Sequence, residues 1–335
     1  MVGIYLKFNK MMIWIKIRYR LRLLLLSLGF KLGFKKRLLR KNYGERILVF
    51  HGIGEPKYNS RFISITAFEE LIKYISTNYN VVSLDDYYAK KFEPNTLNIA
   101  ITFDDGYLNN LHAIPILEKY KIPAIFFITT VAGNTPFLWP DFLDLVTYYT
   151  TKNEIIFENN RYSKNRKNEF AFNGITLKNR CKQIPLESIK SLFEIFEYEW
   201  NIIQSKQLND YWQLMSRESI KSISDNKLFN IGIHGCTHAN LAQIEQQEAF
   251  DEILNSKNIL SQICNKNINS IAFPFGDYND DLVAYSKSIQ LEKILLLDFK
   301  SDKHQADFSL RERFVINPHI GLTRQIYYLL KGTYY

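Results

Sequence analysis

The stretch Leu97-Asn-Ile-Ala-Ile-Thr-Phe-Asp-Asp-Gly-Tyr107 decides how this chain is read. Residues 97–103 form a strongly apolar run of strand length, and Asp104-Asp105-Gly106 stops it. Adjacent residues on a strand point to opposite faces, so Asp104 and Asp105 are expected to play different roles at the strand end.

The neighbouring sequence repeats the pattern. Arg46-Ile-Leu-Val-Phe50 reads as a buried strand that ends in His51-Gly-Ile-Gly54. Thr66 to Tyr79 has helical spacing, with Phe68, Leu71, Ile72 and Ile75 on one face. Val81-Val-Ser-Leu84 reads as a short strand, with Asp85 as the N-cap of the next helix. A helix is expected over Leu111 to Tyr120 and a strand over Ile125–Ile128. Further on, Phe229–Ile233 and Ser270–Phe273 read as strands, with a helix over Ala249 to Ile263 between them. Strands alternating with helices imply an α/β fold with a parallel sheet or barrel. Residues 131–226 break the rhythm and read as a mainly helical insertion within a domain spanning residues 46–335.

Three of the apolar strands end in chemistry-bearing clusters: Asp104-Asp105-Gly106, His234-Gly-Cys-Thr-His238 and Pro274-Phe275-Gly276. In α/β barrels the site is built where strands hand over to loops at their C-terminal ends, so three such handovers point to one shared site. Two histidines four apart can converge on one ion, and a carboxylate from another strand completes three protein ligands. That leaves an open position for water, as in a catalytic metal site. A second carboxylate beside the first can act as general base. Each cluster alone has an ordinary reading: a solvated turn, a pair of packed histidines, a tight turn. The ordered combination is what carries weight.

These clusters resemble the motifs of the polysaccharide deacetylases, the NodB-like carbohydrate esterases of family 4. Thr102-Phe-Asp-Asp-Gly-Tyr107 is similar to the first motif, His234-Gly-Cys-Thr-His238 to the second and Ala272-Phe-Pro-Phe-Gly276 to the third. The resemblance runs from about Ile47 to Asp281, and His51-Gly52 is similar to the end of the family's opening strand. It implies a distorted (β/α) barrel in which Asp105, His234 and His238 bind a divalent metal, usually zinc. It also implies Asp104 as the base that activates water, with a backbone N–H at Phe275, beside Pro274, for the oxyanion. Tyr107 and His51 are expected to line the substrate site. Many members carry an Arg just upstream of the third motif to orient the base. Ser270-Ile-Ala-Phe273 has none, which leaves Arg311 or Arg313 as substitutes. For the general acid, His319 after the apolar run Phe314-Val-Ile316 is preferred to His304.

Charge is unevenly spread. The net charge is +9, yet residues 1–46 hold thirteen Lys or Arg and one Glu. The rest of the chain is therefore slightly acidic, which argues against a nucleic-acid surface. Residues 1–45 read as a basic amphipathic arm. Its apolar run is far short of the roughly 20 residues of a spanning helix, and it lacks the cleavage site of an export signal. Peripheral contact with an anionic membrane is expected, with the cytoplasmic side favoured. Cys181, Cys236 and Cys264 match no zinc or disulfide spacing and read as free thiols. The leading expectation is removal of acetyl groups from N-acetylated sugars of a surface polysaccharide or glycolipid precursor. An O-acetyl esterase on the same scaffold and a non-catalytic glycan-binding domain are the alternatives.

Overall fold

The computed structural model describes residues 44–130 and 137–334, and the alternation of strand and helix is present in it. Strands β1 (Gly44–Phe50), β2 (Asn80–Val81), β3 (Leu97–Phe103) and β4 (Ala124–Ile128) come first. Helices α1 (Ile65–Asn78), α2 (Leu84–Tyr88) and α3 (Ile114–Lys119) lie between them. The insertion supplies α4 (Trp139–Tyr149), β5 (Glu154–Phe157), β6 (Asn160–Lys164), β7 (Phe170–Phe172), β8 (Ile175–Thr176), α5 (Leu177–Cys181), α6 (Leu186–Ile195) and α7 (Glu197–Ser205). The barrel resumes with α8 (Arg217–Asp225), β9 (Phe229–Ile233), α9 (Gln246–Cys264), β10 (Ser270–Ala272), α10 (Asp280–Ser288) and β11 (Lys293–Leu296). It finishes with α11 (Asp302–Ala306), β12 (Leu310–Glu312), β13 (Phe314–Val315) and α12 (Leu322–Lys331).

All seven residues of β3 are buried. Leu97, Ile99, Ile101 and Phe103 face the sheet–helix layer, where α1 adds Phe68, Leu71, Ile72 and Ile75. Each such side chain contributes about 1.5–3 kcal/mol on burial. The alternate residue Ala100 joins Ile47, Ile125, Phe127, Ala272 and Leu295 in a smaller cluster that fills the barrel interior, together with Leu84, Tyr87 and Tyr88 of α2. Space there is tight. A Cβ on Gly232 would come within 2.4 Å of the Phe127 ring, so only glycine lets that ring fill the barrel.

The main sheet is parallel and runs β12-β11-β10-β9-β4-β3-β1-β13, with β2 paired to the start of β3. Its two ends belong to one continuous segment. Leu310–Glu312 pairs with β11, and Phe314–Val315 pairs with β1. Residues 310–315 therefore close the barrel, and Arg313 sits at the point where the chain changes partner.

Some local expectations shift. Asp85 is not the cap of α2; Ser83 is, its hydroxyl accepting from the Asp86 N–H, because the strand already ends at Val81. The insertion is mainly helical, as expected, and it also contains a four-stranded antiparallel sheet in the order β5-β6-β7-β8. Its signals are short. Glu158-Asn159 and Asn173-Gly174 all have positive φ and form two-residue hairpin turns, and β5 alternates exposed and buried. The insertion meets the main core through Ile220 and Ile223 of α8. It has its own core of Phe142, Phe196, Ile203 and their neighbours. Residues 1–43, most of the basic arm, lie outside the described residues. Among the described residues no helix is long and apolar enough to cross a membrane.

Candidate active site

The three strand ends meet. Asp105 Oδ1 lies 3.2 Å from His234 Nε2 and 3.1 Å from His238 Nε2, and all three side chains are buried. The backbone bends sharply to do this. Asp105 has φ 77°, His238 φ 57° and Phe275 φ 60°, each in the left-handed region that non-glycine residues avoid. Such strain costs of order 1–3 kcal/mol per residue and concentrates at functional sites.

Two observations show that the trio suits a cation. Asp105 Oδ1 is buried and accepts no hydrogen bond. His234 donates its Nδ1–H to the Ala272 carbonyl at 2.7 Å, which leaves its Nε2 lone pair facing Asp105. The spacing also fits. Ligands about 2.0–2.1 Å from a tetrahedral zinc ion lie about 3.3 Å apart. The histidine-to-carboxylate separations are close to that value, and the three ligand atoms all lie within 4.8 Å of one another. Burial would raise the Asp105 carboxyl, but the two imidazoles and His51 hold it well below the usual carboxylate range. A metal ligand must be deprotonated, and this carboxyl is.

Asp104 points the other way, into the barrel, where Arg313 grips it with both arms of its guanidinium. Nη1 donates to Oδ1 at 2.7 Å and Nη2 to Oδ2 at 2.9 Å. Burial raises this carboxyl, but Arg313, then His234 and His51, lower it by more, so it stays ionised. Of the two substitutes for the missing upstream arginine, Arg313 is thus the one that reaches the site. Arg311 lies instead over Tyr88 and Phe308.

The other expected site residues take varied positions. His51 is half-buried in the field of Asp105, Arg61, Asp104 and His234, and desolvation pushes its pKa down to about 4. It is therefore neutral near pH 7. Pro274 and Phe275 form a tight turn closed by the Gly276 N–H, which donates to the Phe273 carbonyl at 3.0 Å, with the Phe275 ring 4.6 Å from that of His238. Tyr107 does not line an open groove, because it is buried and its hydroxyl is committed to Asp141 Oδ2 at 2.7 Å. Asn59 holds the other oxygen of Asp141 at 2.9 Å, and burial pushes the Asp141 carboxyl up to about 7. His319 sits in an exposed turn, where its N–H bonds Asn317 Oδ1 at 2.9 Å, and its side chain makes no hydrogen bond to the trio. His304 is committed to Asp280 and Tyr278. The three cysteines are free and buried, as expected, and Cys236 Sγ stands outside the ligand set, beside Thr130 and the Glu252 carbonyl.

Two supports escape a reading by motif. Trp139, at the first position of α4, donates its indole N–H to the His238 carbonyl at 3.2 Å. Glu252 of α9 accepts from the N–H groups of Cys236 at 2.7 Å and Thr237 at 2.9 Å, which holds the loop between the two histidines. Glu252→Ala is expected to weaken zinc affinity about 10–100-fold, as loss of an outer-shell partner does. Glu252→Gln keeps an acceptor oxygen and should recover part of it. Zinc titration against a competing chelator reads the difference.

The polysaccharide deacetylase family model matches residues 92–160 and 195–294. No match is found among curated proteins. Among solved structures, the deacetylase PplD from Streptococcus pyogenes, in complex with acetate, is 15% identical, covering 84% of this chain and 96% of its own, with TM-score 0.53. IcaB from Ammonifex degensii is 15% identical, with coverages of 86% and 97% and TM-score 0.53. A polysaccharide deacetylase from Bacillus cereus is 18% identical, with coverages of 85% and 68% and TM-score 0.53. At these identities the likeness is one of fold, a (β/α) barrel. With half of its residues matched by the family model, this chain belongs to the polysaccharide deacetylase family.

Proposed function

We propose that this protein is a metal-dependent deacetylase of N-acetylated sugars in a surface polysaccharide or its glycolipid precursor. The observation that carries this reading is the convergence of Asp105, His234 and His238 beside an ionised Asp104. The trio would hold a divalent ion, for which zinc is the best match, and the ion would supply a Lewis acid for the acetyl carbonyl and lower the pKa of a water. Asp104 accepts the proton of the attacking water, and Arg313 keeps its carboxylate oriented and charged. The Phe275 N–H stabilises the oxyanion. His51, neutral at working pH, lines the acetyl end of the site.

The leaving nitrogen needs a proton, and in this reading His319 provides it. The chain leaves β13 at the same end of the barrel as His51, since Val315 pairs with Val49. An amine leaves poorly without a proton, whereas an alkoxide from an ester depends on it less. His319→Ala is therefore expected to lower kcat by about 10²-fold on an N-acetyl substrate and by much less on an O-acetyl one. Unchanged kcat on the N-acetyl substrate would remove His319 from the mechanism. The reading as a whole is tested by screening N-acetylated and O-acetylated glycans with zinc supplied and measuring acetate. Release from O-acetyl sugars alone would favour the esterase, and binding without release would favour a glycan-binding domain.

The basic arm adds a location to this reading: peripheral attachment to an anionic membrane, on the cytoplasmic side. Deleting residues 1–40 should move the protein from the membrane pellet to the soluble fraction.

A further inference from the structure

A second cleft, of about 620 Å³, opens on the insertion and includes none of the metal trio. It is bounded by the segment 56–60, one face of α4, the β6–β7 loop and the start of α5. Tyr148 stands in its wall with 55% of its surface exposed. The Tyr148 ring meets that of Tyr58 edge-on at 4.9 Å. Asp144 and Lys178, paired at 2.5 Å, line the cleft with Asn168 and Asn179.

This mixture narrows the class of ligand. The polar and ionic lining does not suit a lipid chain, and charges of both signs do not suit a polyanion. An exposed aromatic face beside carboxylate, amide and ammonium groups suits a sugar, whose C–H face stacks while its hydroxyls both donate and accept. The volume lies within the range of small-ligand sites.

The cleft is also tied to the metal trio. Helix α4 begins at Trp139, which bonds the His238 carbonyl, and carries Asp144 and Tyr148 on its later turns. Tyr148 lies about 14 Å along the axis from Trp139. Asn59, next to Tyr58, holds Asp141 on the same helix. A chain of several sugars can span that distance; one ring cannot.

We propose that this cleft is a distal subsite. It holds a second stretch of the same N-acetylated glycan, several sugars away from the one being deacetylated. The proposal rests on the deacetylase reading for the identity of the ligand.

The test is calorimetric binding of N-acetylglucosamine oligomers, from monosaccharide to hexasaccharide, to the zinc-loaded full-length protein. Acetate release is followed in parallel. Affinity should rise with length. Tyr148→Ala should weaken hexasaccharide binding about tenfold and leave the monosaccharide unchanged, while Tyr148→Phe should bind the hexasaccharide like the wild type. A hexasaccharide that binds no better than the monosaccharide, or equally well to wild type and Tyr148→Ala, overturns the proposal. Binding that depends on length and on Tyr148, without acetate release, would instead strike the deacetylase reading and leave the subsite standing.

Discussion

If Asp104 is the base proposed above, Asp104→Asn is expected to lower acetate release by about 10²–10⁴-fold, the range for loss of a positioned general base. The carboxamide keeps the shape of the side chain but cannot take up a proton. The same change should also lower stability, because Arg313 is left buried without its counter-charge. Breaking one side of such a pair costs about 3–5 kcal/mol. The two effects separate in the double variant Asp104→Asn with Arg313→Met. It should regain much of the lost melting temperature, because no unpaired charge remains, and regain no activity. Recovery of activity in that variant would exclude Asp104 as the base.

Arg313→Met alone supplies a pH signature. Arg313 is the strongest of the influences that hold the Asp104 carboxyl below its ordinary value, so removing it lets burial raise that carboxyl. The acidic limb of the kcat/KM profile should move to higher pH. The sign for stability comes from the same shift. Asp104 has a lowered pKa in the folded state, so its contribution is present above the unfolded carboxylate value and lost as pH falls through the folded one. Wild type should therefore lose stability in acid through this pair, and the double variant should not.

His234→Ala is expected to abolish activity and to weaken zinc binding by more than the 10–100-fold typical of an outer-shell loss. Two protein ligands remain, and catalytic zinc sites ordinarily use three. Thermal melts give a readout independent of turnover. Zinc at 100 times its Kd stabilises a protein by about 2.7 kcal/mol. The wild type should show that gain and lose it to a chelator, while His234→Ala should melt at the same temperature with or without zinc. An equal zinc-induced shift in both proteins would place the ion elsewhere. His238→Ala should behave alike, because Trp139 bonds the His238 carbonyl and not its ring.

The features legible in the sequence are local ones. Burial of β3 follows from its apolar run, and the face of α1 that carries Phe68, Leu71, Ile72 and Ile75 follows from its period. The candidate ligand trio follows from the residues that stand just after two strands, β3 and β9. These features depend on residues close together in the chain. The hairpins of the insertion are equally local, yet they stand unannounced beside its expected helices. The pair Asn173-Gly174 is a strong turn signal, but the strands it joins are only two or three residues long, too short to show a period of two.

The rest is decided by contacts between distant segments. Arg313 reaches Asp104 across 209 positions, because residues 310–315 must bridge β11 and β1 to close the barrel. Nothing near Arg313 in the sequence announces that closure. Glu252 finds the loop of the two histidines only when α9 packs beside β9. Tyr107, expected to line the substrate site, is turned inward by Asp141 from the insertion. Motif spacing fixes which side chains stand at a strand end. Which partners neutralise, orient or bury them depends on where remote elements pack, and that is a property of the folded chain.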